Sequence, residues 1–177
     1  VTQPLQLPAQ VISSTLSDLM KAKDAQAVFS DFVQWLMGRR VEVADLFLNS
    51  LRICIEGQFG GDTGLFLWFD PVWHLGSPKG ILVGSRQAQI EERNAHAALN
   101  LLVQELLGRQ VEQVSVDALT SDIDIRFSGG YWVRTFVSDP TANMNWYFRD
   151  RQRKLVVTAS AAGFRLSDFP PSDESTP

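Results

Sequence analysis

Hydrophobic positions change their period along the chain, and the changes mark its elements. Ala25, Val28, Phe29, Phe32, Val33 and Leu36 recur at intervals of three and four residues, the spacing that gathers side chains on one face of an amphipathic helix. Gly38 follows, where a glycine stops a helix by taking positive φ, with Arg39 just past the negative end of the dipole. The period then drops to two. Val41 and Val43 alternate with polar neighbours, and Leu51, Ile53 and Ile55 face one way while Arg52, Cys54 and Glu56 face the other, as in a strand buried on one side. Asn49-Ser50 is the turn signal between these strands. Leu65–Phe69 is apolar throughout, which predicts a strand covered on both faces. Asp70-Pro71 breaks it, and Val72–Leu75 and Ile81–Ser85 predict two more short strands around the turn Gly76–Gly80.

The same succession then recurs. Ala95–Glu112 repeats Ala25–Glu42 at a constant offset of 70, with nine of eighteen positions identical, Gly38/Gly108, Arg39/Arg109 and Val41/Val111 among them. Ordinary composition gives about one such match by chance. Ile123, Ile125 and Phe127 follow Leu51, Ile53 and Ile55 at offset 72, and Trp146-Tyr147-Phe148 stands at offset 73 from Trp73-His74-Leu75. Ser128-Gly129-Gly130 reads as a hairpin turn between strands Asp122–Phe127 and Tyr131–Val137. The expected fold is therefore α+β with an internal duplication: each half is one amphipathic helix followed by four or five short antiparallel strands, the helices covering one face of the sheets. Residues 1–23 form a lead-in with a short helical segment at Ser13–Met20, or, without a break at Lys23, the start of one helix from about Ser14 to Met37; 24–85 is the first repeat, 86–166 the second repeat sharing one core with the first, and 167–177, rich in proline, serine and acids, a disordered tail.

At 177 residues with 45% hydrophobic and 20% charged content, the chain reads as a folded soluble protein. No apolar run approaches the ~20 residues of a membrane span. The opening VTQPLQLPAQ has neither a basic nor an apolar signal region, which predicts a cytoplasmic protein, and the one cysteine, Cys54, agrees with a reducing compartment. A formal charge of −4 argues against attraction to phosphate backbones and for a basic or neutral protein partner; a homo-oligomer is a separate possibility.

Candidate chemistry is sparse. His74 and His96 have no second ligand at metal spacing, so neither a metal nor a cofactor is expected. Cys54, between Arg52 and Glu56, reads as a buried thiol rather than a nucleophile. Asp117, Asp122 and Asp124 are the densest carboxylates, and a solvated hairpin face explains them more simply than paired acid–base work. Gly60–Gly64 lacks the Gly-Lys-Ser/Thr ending of a phosphate loop. Arg149, Arg151 and Arg153 alternate beside Trp146-Tyr147-Phe148, a pattern that could track a single strand, but the total charge opposes nucleic acid. Arg39/Glu42 and Arg109/Glu112 read as structural ion pairs. Tryptophans in strand regions are the stronger signal, since any left on an uncovered sheet face form a contact patch. Trp73, Trp132 and Trp146, with Tyr147 and Arg149, are the expected partner-binding residues.

A helix ending in Leu-x-Gly-Arg-x-Val-Glu, at Leu36–Glu42 and Leu106–Glu112, followed by alternating strands such as LRICIEG and IDIRFSGG, resembles uncharacterised bacterial proteins grouped as domains of unknown function. Some small proteins of that look are immunity proteins that neutralise toxins. The resemblance implies a non-enzymatic binding protein and transfers no functional residue. The sequence thus points to a protein-binding module of immunity type. Its alternative is a small-molecule binder or enzyme with a pocket between the halves, built from Asp122, Asp124, Arg126 or Cys54.

Overall fold

The computed structural model describes residues 27–59, 61, 63–89, 93–117, 119–136 and 144–168. The expected lead-in and nearly all of the expected tail lie outside the described residues. Helix α1 occupies 27–36. Strands β1 (Val41–Phe47), β2 (Ser50–Ile55), β3 (Leu65–Phe69), β4 (Trp73–Ser77) and β5 (Gly80–Gly84) follow, then helices α2 (Ser85–Ala88) and α3 (Arg93–Val103). After a tightened turn at Gln104–Leu106 come β6 (Val111–Val116), β7 (Ile123–Phe127), β8 (Tyr131–Thr135), β9 (Trp146–Asp150), β10 (Leu155–Ser160) and β11 (Gly163–Asp168).

Both helix ends carry the expected glycine. Gly38 takes φ +77° and Gly108 φ +74°, and the N–H of Arg39 and of Arg109 each donates at 3.1 Å to Leu36 O and Leu106 O. Neither glycine N–H closes its own helix. Gly38 donates to Val111 O and Gly108 to Val41 O, both at 2.8 Å, while Val41 and Val111 donate to Arg109 O and Arg39 O at 2.9 Å. Backbone groups just past each helix end are thus satisfied by the other segment, and Arg40 bridges Gln110 in antiparallel fashion between them.

The protein is α+β with two antiparallel sheets. Sheet I has the order β1-β2-β3-β9-β10-β11 and sheet II the order β5-β4-β8-β7-β6. The sequence leaves open whether the strands form one sheet, two sheets or a barrel, and the expected duplication with one helix and its own run of strands in each half is not supported. After β3 the chain leaves sheet I to lay β4 and β5 on sheet II, and after β8 it returns to place β9 beside β3. Three helices stand among the described residues rather than one per half, and they do not share a face: α1 packs on β9 and β11, whereas α3 lies against β1 and β5. Alternation within a strand fixes which side is buried; it says nothing about which strand supplies the neighbouring hydrogen bonds.

One core joins the sheets and helices, with Leu36, Leu51, Ile53, Leu67, Leu75, Leu106, Ile125 and Val133 all inaccessible. Phe32 stacks on Phe148 with ring centroids 3.6 Å apart and planes 5° from parallel. Trp73 and Trp146 are both 0% exposed. Each indole N–H reaches a loop carbonyl: Trp73 Nε1 donates to Asn49 O at 2.8 Å and Trp146 Nε1 to Ser121 O at 2.7 Å. Smaller corrections follow from local geometry. Gly76 and Ser77 belong to β4 rather than to the turn, and Ser85 opens α2. Gly163–Asp168 is a further strand that pairs with β10, so order persists past Leu166.

Candidate docking face

Sheet I turns one side toward α1 and the core. Its other side is defined by the strand register. Asp45, Arg52, Trp68, Tyr147, Thr158 and Arg165 stand opposite one another across six strands. Val43, Cys54, Phe66, Arg149, Val156 and Ser167 form the adjacent row. A solvent-facing side of an antiparallel sheet ordinarily carries polar residues at these alternate positions. Here the centre is aromatic. Trp68 and Tyr147 lie 5.7 Å apart with planes at 16°, Phe66 is 6.0 Å from Trp68 and 6.3 Å from Tyr147, and Phe47 is 5.8 Å from Trp68. Phe59, from the loop after β2, meets Phe66 edge-on at 5.0 Å. Phe47 is 48% exposed, and Trp68 and Tyr147 are half-buried.

Arginines are set into this aromatic surface. Arg52 forms a two-pronged bond with Asp45 (2.7 and 2.5 Å), and its guanidinium sits 4.9 Å from the Phe47 ring and 4.6 Å from Phe59. Such a fork held between rings is fixed by two attractions at once. Arg149 lies 5.6 Å from the Tyr147 ring. Burial raises the Tyr147 phenol above its ordinary value, and the charges of Arg149 and Arg52 oppose that rise.

The expected partner-binding residues divide. Tyr147 and Arg149 lie on this face. Trp132 is half-exposed on the corresponding side of sheet II, flat over Gly76, where an added Cβ would come within 2.2 Å of the ring, and between Arg126 and Arg134 at 5.8 and 5.7 Å. Trp73 and Trp146 are corrected to core residues: their indoles are wholly enclosed and hydrogen-bonded, and no partner reaches them in the folded chain. Trp68, Phe66 and Phe47 were missed. The unbroken apolar run of β3 reads as a strand covered twice, whereas its outer positions are covered by neighbouring aromatic rings. Reading β3 every second residue against Arg52 and Tyr147 is the signal that finds them.

The other candidate groups are occupied. Cys54 is buried, and burial first, with Glu42 adding to it against the opposing charge of Arg151, pushes its thiol up to about 11. Arg39 pairs with Glu56 and covers the Trp35 ring at 3.8 Å, while Arg109 donates to Glu105 O and Ser128 O and covers Tyr131 at 3.5 Å. Glu42 accepts from Gly57 N–H at 2.6 Å, so the expected Arg39–Glu42 pairing is replaced. Arg149, Arg151 and Arg153 do not form a row, because β9 ends at Asp150; Arg151 bonds Gly61 O and Arg153 lies 3.7 Å from Asp150.

On sheet II an open depression of ≈ 470 Å³ is lined by Thr120, Asp122, Asp124, Arg134, Thr135 and Phe136 among others. Its carboxylates are engaged. Asp124 accepts from Arg134 at 2.7 Å and Arg126 at 3.1 Å, and Asp122 accepts the Thr120 hydroxyl at 2.8 Å. The N–H groups of Thr120 and Leu119 hold the Asp117 carboxyl below its ordinary range. All the lining residues fall between Ser115 and Phe136, so the depression belongs to one half rather than to a cleft between two.

Among the described residues, no group of three or more His, Cys, Asp or Glu side chains is placed to hold a metal ion, and no helix is long and apolar enough to cross a membrane. No family model, no curated protein and no solved structure matches the chain.

Proposed function

We propose that this chain is a non-enzymatic protein-binding module whose partner docks on the outer side of sheet I. The observation that carries the reading is the patch of Phe47, Trp68 and Tyr147 over the buried Phe66, aromatic where a solvated sheet would be polar and edged by Arg52 and Arg149. Interfaces concentrate aromatic residues and arginine in this way. An immunity-type role is its specific form: the partner is then a toxin that the wild-type chain neutralises and a Trp68→Ala chain does not. A photo-crosslinking benzoylphenylalanine at Phe47 should capture a partner that the same probe at Ile81, on the far sheet, does not. Unlabelled wild-type protein should compete and Trp68→Ala should not. Equal capture from both positions would sink the reading.

The same reading takes the two halves as copies of one unit that exchange their last strands. Its support is reciprocal: the four hydrogen bonds between residues 38–41 and 108–111, the two enclosed indoles bonded to the loop carbonyls of Asn49 and Ser121, and sheets that each hold three strands from one half and two or more from the other. A second reading, a small polar ligand in the sheet II depression, rests on the convergence of Asp122, Asp124, Arg134 and Thr135 there. Asp124→Asn would weaken such a ligand and leave docking on sheet I unchanged.

A further inference from the structure

Resting on the docking reading above, we infer that the segment received by the outer side of sheet I is an acidic peptide stretch of the partner, lying along β9–β11 beside Trp68 and Tyr147. The formal charge of −4 points the other way, but a partner meets the local field of a surface rather than the net charge. Carboxylates on this side lie toward β1 and are engaged: Asp45 by Arg52, Glu42 by Gly57 N–H, and Asp70, whose carboxyl burial raises above its ordinary value, by Ser50. Toward β9–β11 the charge is cationic. Arg149 and Arg165 flank Tyr147 and Thr158 in adjoining register positions, Arg165 exposed, with Arg151 and exposed Lys154 at the ends of β9 and β10. Among the described residues the carboxylates there are Asp150, with Arg153 beside it, and Asp168 at the end of β11, against the five cations Arg149, Arg151, Arg153, Lys154 and Arg165.

Ring geometry selects protein over a nucleic-acid strand. Bases bind by stacking on open ring faces. Trp68 and Tyr147, nearly parallel at 5.7 Å, spend faces on each other, and Phe66 closes on both. A face that Trp68 and Tyr147 use on each other is not open to a base, whereas guanidinium groups beside these rings suit carboxylate and aliphatic side chains of an extended peptide.

The test is titration of the full chain with three probes followed by tryptophan fluorescence: a random copolymer of glutamate and tyrosine, one of lysine and tyrosine, and a thymidine oligonucleotide. The acidic copolymer should bind, lose about tenfold in affinity between low and physiological salt, and lose a similar factor in Arg149→Glu/Arg165→Glu, with Trp68→Ala weakening it further. Circular dichroism and melting temperature establish that each variant is folded, and Arg165→Glu alone, at an exposed site, serves if the double variant is not. Tighter binding of the lysine copolymer, abolished by Trp68→Ala, overturns the acidic assignment while leaving the docking face standing. Tighter binding of the oligonucleotide overturns both. No Trp68-dependent binding of any probe overturns the assignment, and the crosslinking at Phe47 then judges the face separately. Binding of the acidic copolymer that emerges only once residues 169–177, which carry Asp173 and Glu174, are removed overturns it in favour of the chain's own end.

Discussion

Gly38 and Gly108 separate two reasons for a glycine. At both, an added Cβ meets nothing within 4 Å, yet φ is +77° and +74°, so alanine is penalised by backbone conformation alone, by about 1–2 kcal/mol. Gly38→Ala and Gly108→Ala should therefore lower the urea midpoint by similar amounts. Gly76→Ala should cost more, because its Cβ would strike the Trp132 ring at 2.2 Å, and near-ultraviolet dichroism should report the displaced indole. Cys54 gives a prediction in pH. Its thiol is raised from 9.0 to about 11 in the fold, so the folded state holds the proton more tightly than the unfolded chain does. Below pH ~9 both states are protonated and stability is unaffected; as pH rises from there toward 11 the unfolded state ionises first and stability falls. In denaturation curves Cys54→Ala should remove the part of that loss that begins near pH ~9 and leave the part above pH ~10 that the raised Tyr147 phenol contributes, and wild-type thiol should react with Ellman's reagent only on unfolding. At this scale much was legible. The helix-ending glycines and the buried cysteine follow from φ preference and the usual burial of free thiols, whereas the partners of Arg39 and Arg109 do not, since Glu56 and Ser128 reach them only through the fold.

Elements were legible in type and less so in placement. The alternation at Leu51, Ile53 and Ile55, and again at Ile123, Ile125 and Phe127, predicts strands with a buried side, and all six side chains are inaccessible or nearly so. The placement of β4 and β5 in sheet II and of β9, β10 and β11 in sheet I was not legible, because a strand's edge groups are identical amides whatever the sequence. What holds β4 and β9 in place is partly visible in their tryptophans. Trp73 and Trp146 each carry an indole N–H into the core and find a loop carbonyl at 2.8 and 2.7 Å. Trp73→Phe and Trp146→Phe should each leave that carbonyl unpaired and create a void, at about 1–3 kcal/mol for the hydrogen bond alone. Comparable losses in melting temperature would agree with equivalent roles, while a neutral Trp146→Phe would show that its bond contributes nothing. Helix α1 depends on packing more than on its own propensity: Phe32 lies flat on Phe148 at 3.6 Å, and Phe32→Ala should destabilise by about 3–5 kcal/mol, releasing α1 from β9.

For the whole molecule, the tryptophan count misleads until burial sorts it. Trp146→Ala would abolish partner capture by unfolding the chain, so loss of binding in that variant says nothing about the face. Trp68 separates the two effects. It stands on the outer side of sheet I against Tyr147, Phe66 and Phe47, away from the packed interior, and truncation there removes contact area a partner would cover while leaving Leu65, Leu67 and Phe69 of the same strand enclosed. Trp68→Ala should keep near-native far-ultraviolet dichroism and a cooperative melt, and should weaken partner binding by about 2 kcal/mol or more, the range of an aromatic anchor at the centre of an interface. Arg52 makes the complementary case. Because Asp45 holds it in two hydrogen bonds between Phe47 and Phe59, Arg52→Lys keeps the charge but loses the planar fork. If pre-organisation of the aromatic patch drives docking, Arg52→Lys should raise the dissociation rate while leaving the salt dependence of association unchanged. A change confined to the association rate would instead assign Arg52 to steering.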